Sequence, residues 1–143
     1  LCAALVDAGV KASQIDVIST ERWYIYNGLC RIKAQETKHD VQNCCWHIEL
    51  PSTPVERLFY ATDTNNLNGI TAKGYNLYLV EANYTEADIQ DRIAEKKING
   101  EYVYEKRVMR EHLSKEKADD WLCANMAAYS EYIYMHGHQE KDN

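Results

Sequence analysis

The chain has 143 residues, of which 45% are hydrophobic, and a formal net charge of −6. These values indicate one folded domain and exclude a disordered chain, a membrane-spanning segment and a general electrostatic attraction to nucleic acid. The five cysteines include no Cys-x-x-Cys pair, which argues against a cysteine-based zinc or redox motif and favours reduced thiols in a cytoplasmic protein.

The spacing of apolar residues, together with residues typical of helix ends, predicts the helices and strands of the first half of the chain. A short helix over residues 1–8 ends at Gly9, and weak alternation predicts a strand over residues 15–18. Capping residues precede a predicted helix over residues 21–27, which Gly28 ends. Three strands are then predicted, over residues 31–37, 44–50 and 57–63. The short loop between the last two predicts that they are antiparallel neighbours.

The second half interleaves strands with helices. After a polar loop over residues 64–74, a strand is predicted over residues 75–81. Thr85 and Ser114 are the predicted N-caps of helices that run to about residue 98 and residue 126. A further helix over residues 102–111 lies between them, and a strand over residues 131–135 follows. This order predicts a single α/β domain, residues 1–143, with a layered sandwich architecture.

Side chains that can bind metal follow several of the predicted strands. Asp63, Glu81 and His136 each stand at a strand end, where open α/β sheets place their ligand chemistry. His39 and His112 lie at the edges of loops. Imidazoles and carboxylates suit zinc, manganese or iron, although Asp63 alone is also an ordinary turn residue. Another histidine, His47, alternates within a strand and is interpreted as structural.

Five short motifs contain these residues. In chain order they are His39-Asp40, Ala61-Thr62-Asp63-Thr64, Glu81-Ala82-Asn83, His112-Leu113-Ser114 and Tyr134-Met135-His136. Their order and approximate spacing over residues 39–136 resemble the metallo-β-lactamase fold superfamily, in particular its nuclease and phosphodiesterase branch, which includes tRNA-maturing ribonuclease Z. The resemblance implies a mixed-sheet αββα sandwich.

The resemblance also implies a metal site. In such a site His39 and His136 each bind one metal and Asp63 bridges two, with zinc as the expected ion and manganese or iron as alternatives. His138 stands two residues beyond His136 and is the alternative ligand if the register shifts.

Other positions acquire roles from the same resemblance. His112 is the implied catalytic residue, which protonates the leaving oxygen or contacts phosphate, and its alternative is an exposed residue before an N-cap. Glu81 is implied to orient a neighbouring histidine and Asn83 to support the loop; a strand-end salt bridge is the alternative for Glu81. Candidate phosphate-binding cations are Lys38, Arg107, Arg110 and Lys115.

One departure from the family pattern is large. The His-x-His-x-Asp-His run that supplies most ligands in the family is absent, so the chain is interpreted as the C-terminal portion of a longer domain that is incomplete at its N-terminus. The first hypothesis is a metal-dependent hydrolase acting on phosphodiesters, including nucleic acid; a lactone or thioester substrate stays open. The second is a truncated or degenerate α/β module without catalysis that binds a partner or a missing half. Loss of the first half would expose a sheet edge and one face of the sandwich, which predicts aggregation or a homo-oligomer.

Overall fold

A computed structural model describes residues 2–137 of the chain. Within this range the fold is mixed α/β, with one six-stranded mixed sheet and four α-helices. The strands are β1 (Trp23–Tyr26), β2 (Cys30–Thr37), β3 (Asn43–Leu50), β4 (Glu56–Ala61), β5 (Leu77–Glu81) and β6 (Glu131–Met135). The helices are α1 (Cys2–Asp7), α2 (Glu86–Asn99), α3 (Glu105–Glu111) and α4 (Lys115–Asn125), and a 3-10 turn spans Ala12–Gln14.

The sheet follows chain order, β1-β2-β3-β4-β5-β6. Strands β1 to β4 pair in antiparallel fashion, whereas β4, β5 and β6 are parallel. The antiparallel pairing of β3 with β4 confirms the prediction for those strands. Because two reversals separate β2 from β4, strands β2, β4, β5 and β6 all run in one direction and end at the same edge of the sheet.

Helix α4 covers one face of the sheet. Phe59 and Tyr78 are fully buried there, and the ring of Trp121 stacks on Phe59 with centroids 4.7 Å apart. The loop between β4 and β5 adds its own buried side chains to this core, and the Tyr78 hydroxyl donates to the carbonyl of Ala72 at 2.7 Å. This packing fixes the long loop, so the chain that leaves β4 toward the sheet edge is held in place.

Helices α2 and α3 pack on each other through a smaller apolar cluster that includes Ile89 and Ile93. The predicted caps are present: Thr85 Oγ1 accepts from the Asp88 amide at the start of α2, and Ser114 Oγ accepts from the Lys117 amide at the start of α4. Gly100, with φ of 70°, ends α2 in the left-handed conformation that glycine adopts without a Cβ clash.

Two predicted elements are wrong. The predicted helix over residues 21–27 is strand β1, because its Trp-Tyr-Ile-Tyr core favours extended backbone and Asn27-Gly28 form a tight turn back to β2. Both turn residues have positive φ, and the Leu29 amide donates to the Tyr26 carbonyl across the turn. The predicted strand over residues 15–18 is absent, and these residues pair with no described strand of the sheet.

The longest described helix has 14 residues, and none within residues 2–137 has the length and apolarity needed to cross a bilayer. His138, the alternative metal ligand from the sequence, lies outside the described residues.

A candidate metal centre at one edge of the sheet

The carboxyl ends of the four co-directional strands bring the candidate side chains to one edge. His39 follows β2 by two residues, Asp63 follows β4 by two residues, and His136 directly follows β6. Glu81 is the last residue of β5, between the other two parallel strands. Groups that lie up to almost 100 positions apart in the sequence therefore share one surface.

Glu81 lies at the centre of this group. Its side chain is fully buried, and its Oε1 lies 2.6 Å from His112 Nδ1 and 3.2 Å from His136 Nδ1. Its other oxygen accepts the backbone amide of Thr64 at 2.9 Å. A buried carboxylate needs such donors because burial without them costs several kcal/mol. The two hydrogen bonds and the ion-pair contact with His136 fix the carboxylate between two histidines and the loop after β4.

Asp63 and His136 face each other across a distance of 3.1 Å, from Oδ1 to Nδ1. Both residues adopt positive φ, 52° for Asp63 and 54° for His136, a conformation that costs a residue with a Cβ roughly 1–2 kcal/mol. Side-chain amides hold the backbone there. Asn43 Nδ2 donates to the Asp63 carbonyl at 2.7 Å, and Asn83 Nδ2 donates to the His136 carbonyl at 3.0 Å. Such strain at a cluster of polar side chains is a common feature of functional sites.

His112 completes the cluster from the helical side. It caps the C-terminus of α3, and its amide donates to the Val108 carbonyl. Its ring lies edge-on to those of His136 and His39, with centroid distances of 5.1 and 5.6 Å. Nδ1 of His112 is 3.9 Å from Asp63 Oδ1, in addition to its short contact with Glu81. Single atoms of Asp63, Glu81, His112 and His136 lie within 4.8 Å of one another.

A second group of charges adjoins the first. His39 Nδ1 lies 2.8 Å from Asp40 Oδ1, and Arg107 Nη2 donates to Asp40 Oδ2 at 2.6 Å. The hydrogen bond from Arg107 lowers the pKa of the Asp40 carboxyl. The buried Glu111 accepts from Arg110 Nε at 2.6 Å, and that bond raises the pKa of Arg110. The Arg107–Asp40 pair connects the loop after β2 to α3, whereas the Arg110–Glu111 pair lies within α3.

The two groups line one cleft of about 430 Å³. Its walls are formed by His39, Asp63, Tyr104, Arg107, Val108, Glu111, His112 and His136. The imidazole and carboxylate donors fit a zinc, manganese or iron ion, which bind such nitrogen and oxygen ligands. Asp63 and His136 offer donor atoms on the open side of the cluster, each with a side chain about half exposed at 47% and 46%. Because Asp63 and His136 are exposed, a ligand from solvent can reach them, whereas it cannot reach the buried Glu81.

The structure brings together four of the six candidate site residues, Asp63, Glu81, His112 and His136, and it places His39 in the adjoining group that lines the same cleft. The sixth, Asn83, binds the backbone of His136 as described above. Among the candidate phosphate-binding cations, Arg107 lines the cleft, whereas Lys115 Nζ is paired with Asp119 at 2.8 Å. His47 is buried away from the cleft between Tyr75 and Gln35, and burial lowers its pKa to about 4.

Sequence reasoning missed Glu111 and Tyr104, which also line the cleft. A signal was present, because residues 104, 107, 108 and 111 follow the i, i+3, i+4, i+7 spacing of one helix face. It also missed Asn43, whose amide holds the loop at Asp63 and for which the sequence carries no pattern.

Comparison with known proteins adds no assignment. No protein-family model matches the sequence, and no curated protein is significantly similar to it. Function is therefore inferred from the residues and the geometry of the cleft.

Proposed function

We propose that this protein is a metal-dependent hydrolase that cleaves phosphodiesters, with the site organisation of the nuclease-like branch of the metallo-β-lactamase superfamily. One observation carries the proposal. Asp63, Glu81, His112 and His136, from four separate segments, place single atoms within 4.8 Å of one another at the edge of an open cleft. A cluster of ionisable side chains at a cleft is a candidate functional site.

In this proposal Asp63 and His136 hold the metal, and His39 binds from the neighbouring loop. Zinc suits these ligands best, and manganese or iron also fit. A bound divalent ion supplies two effects at such a site: it lowers the pKa of water and withdraws charge from a phosphoryl oxygen. The αββα sandwich of the family belongs to the same proposal.

His112 is the proposed acid for the leaving oxygen. Its Nδ1 is occupied by Glu81 at 2.6 Å, so the other ring nitrogen, Nε2, is the one available to a substrate. A protonated His112 donates Nε2–H to the oxygen that departs from phosphorus. Glu81 keeps the His112 ring in one orientation through the bond to Nδ1. The rings of His112 and His39 have centroids 5.6 Å apart, so the proposed acid lies beside a proposed metal ligand.

Arg107 supplies positive charge to the same cleft. Its side chain is 68% exposed, and only Nη2 is bound to Asp40. A guanidinium has five donors, so most of them remain for a phosphate oxygen. This local cation offsets the unfavourable overall charge of −6 for an anionic substrate.

Zinc affinity tests the metal site directly. Isothermal titration with zinc is performed on the chain and on a His39→Ala/Asp63→Ala/His136→Ala variant, with Asp91→Ala/Asp120→Ala as a control that removes two acids elsewhere. We expect binding by the chain and the control and its loss in the triple variant. Hydrolysis of bis(p-nitrophenyl) phosphate with added zinc or manganese is measured on the same three proteins, and we expect activity only in those that bind zinc. A folded, monodisperse chain that binds no zinc contradicts the proposal.

The second candidate function is a non-catalytic module that binds a partner or another copy of the chain. It is favoured by the sheet face opposite α4, where Trp46, Tyr60 and Leu79 are paired in register and only half buried, and Ile133 on β6 is 52% exposed. Light scattering tests this function. It is supported if the chain forms a dimer, if the Ile133→Lys variant does not, and if the chain binds no zinc.

A further inference from the structure

The Asp40 carboxylate lies between a proposed metal ligand and a cation of the cleft. Its Oδ1 is 2.8 Å from His39 Nδ1, and its Oδ2 accepts from Arg107 Nη2 at 2.6 Å. Residues 39–41 form a bend between β2 and β3. Neighbouring side chains of an extended strand point to opposite faces, so the bend is what allows the His39 ring to meet the carboxylate of the next residue. Asp40 is therefore held at both of its oxygens.

The short contact with Asp40 decides which nitrogen of His39 carries the proton. A carboxylate that accepts from a guanidinium is ionised and has no proton to donate. If Nδ1 carried no proton, its lone pair would face a carboxylate oxygen at 2.8 Å, so the proton lies on Nδ1. The Val41 amide also approaches Nδ1, but at 3.4 Å, which is the long limit of a hydrogen bond. In the neutral ring, Nε2 therefore keeps the free lone pair.

A free lone pair on Nε2 is what a metal ion needs from His39. Histidines that bind metal usually donate their other ring N–H to a carboxylate or a carbonyl, and this bond fixes both the tautomer and the orientation of the ring. The His39 side chain is only 12% exposed, yet it lines the cleft. With Nδ1 occupied by Asp40, Nε2 is the ring nitrogen that remains for a ligand in the cleft.

The alternative is that Asp40 itself binds the metal. Single atoms of His39, Asp40 and Glu111 lie within 4.8 Å of one another. However, Arg107 donates to Asp40 and Arg110 donates to Glu111, each at 2.6 Å, so both carboxylates already have a cation. A metal ion bound by both acids would have to compete with both guanidinium groups. These contacts favour a carboxylate that orients His39 over one that binds the metal.

We propose that Asp40 is a positioning residue, which holds His39 with its proton on Nδ1 and leaves Nε2 free for a metal ion in the cleft. This inference rests on the proposed function, in which His39 is a metal ligand. It adds a role for the second residue of the His39-Asp40 motif. Asp40 acts through His39 and does not contact the substrate.

Zinc affinity and the tautomer of His39 test this role in two separate ways. Isothermal titration with zinc is performed on the full chain, Asp40→Ala, Asp40→Asn and Asp119→Ala, and circular dichroism checks that each is folded. Asp40→Asn keeps an acceptor oxygen for the Nδ1 proton. Asp119 is the control, because it is 41% exposed and pairs with Lys115 outside the cleft. Long-range proton–nitrogen correlation spectra in EDTA report the tautomer of the neutral His39 ring without metal, and a His39→Gln variant identifies its signals.

We expect Asp40→Ala to bind zinc about 10- to 100-fold more weakly, which is the usual effect of removing a group that orients a metal ligand. Asp40→Asn should lose less affinity than Asp40→Ala, and Asp119→Ala should bind zinc as the unmodified chain does. In the spectra, the neutral His39 ring should carry its proton on Nδ1 in the unmodified chain and lose this preference in Asp40→Ala.

The outcomes separate this inference from the proposed function. If the chain binds zinc and Asp40→Ala binds it equally well, or if the neutral His39 ring carries its proton on Nε2, the positioning role is refuted and the metal centre stands. If Asp40→Asn loses as much affinity as Asp40→Ala, Asp40 is a ligand and the inference is wrong. A folded chain with the proton on Nδ1 that binds no zinc refutes the proposed function, and the positioning role with it.

Discussion

Replacement of Glu81 by glutamine tests whether the buried carboxylate holds the site together. The substitution keeps the size of the side chain and removes its charge. Glu81 accepts hydrogen bonds from the Thr64 amide and His112, and it forms an ion-pair contact with His136. An amide has one oxygen and one NH₂ group in place of two acceptor oxygens, so it cannot accept from both sides of the group.

Each orientation of the new amide has a cost. If its oxygen faces the histidines, its NH₂ group meets the buried Thr64 amide, and two donors oppose each other. If its oxygen faces Thr64, the histidines must change tautomer to accept from the NH₂ group, and the charge-assisted bonds are lost. Loss of one charge-assisted bond costs about 1.5–3 kcal/mol. We expect Glu81→Gln to lower the free energy of unfolding by about 2 kcal/mol.

Urea denaturation in EDTA, followed by circular dichroism, measures this loss without a contribution from bound metal. With a slope of roughly 1–3 kcal/mol per molar urea, the midpoint should fall by about 1 M. Asp63→Asn is the matched control, because that carboxylate is 47% exposed and its ion pair with His136 contributes only about 0–1 kcal/mol. A Glu81→Gln variant as stable as the unmodified chain, or more stable, refutes the reasoning, since repulsion between Glu81 and Asp63 would then outweigh the contacts with Thr64, His112 and His136.

Two further predictions concern the framework around the site. Ser114→Ala removes the buried N-cap of α4, so the free energy of unfolding should fall by about 1 kcal/mol, and Ser114→Thr, which keeps the cap oxygen, should lose less in the same urea titration. His47 should make the fold sensitive to acid: burial lowers its pKa from 6.5 to about 4, so the unfolded chain binds the extra proton between these values. The contribution of His47 to the free energy of unfolding is complete above about pH 6.5 and falls as the pH drops toward 4. A His47→Gln variant whose urea midpoint falls as steeply between about pH 7 and pH 5 as that of the unmodified chain contradicts this assignment.

Much of the fold follows from local patterns in the sequence. The alternating and apolar runs of β2 to β6 gave their positions to within a few residues, because a half-buried strand needs that period. The caps at Thr85 and Ser114 were found because capping depends on a side chain only three residues from its partner. Strand β1 was missed because capping signals before it were given more weight than its β-branched and aromatic residues and the Asn27-Gly28 turn.

The sequence by itself determined the candidate side chains: acids and histidines at the ends of apolar strands and at the edges of loops. Only the tertiary structure decided that they meet. The parallel register of β4, β5 and β6 places Asp63, Glu81 and His136 side by side, and this pairing depends on long-range hydrogen bonds that no local pattern encodes. The same holds for the face of α3 that lines the cleft. The spacing of residues 104, 107, 108 and 111 defines one face of the helix, but only packing decides that this face turns toward the cleft.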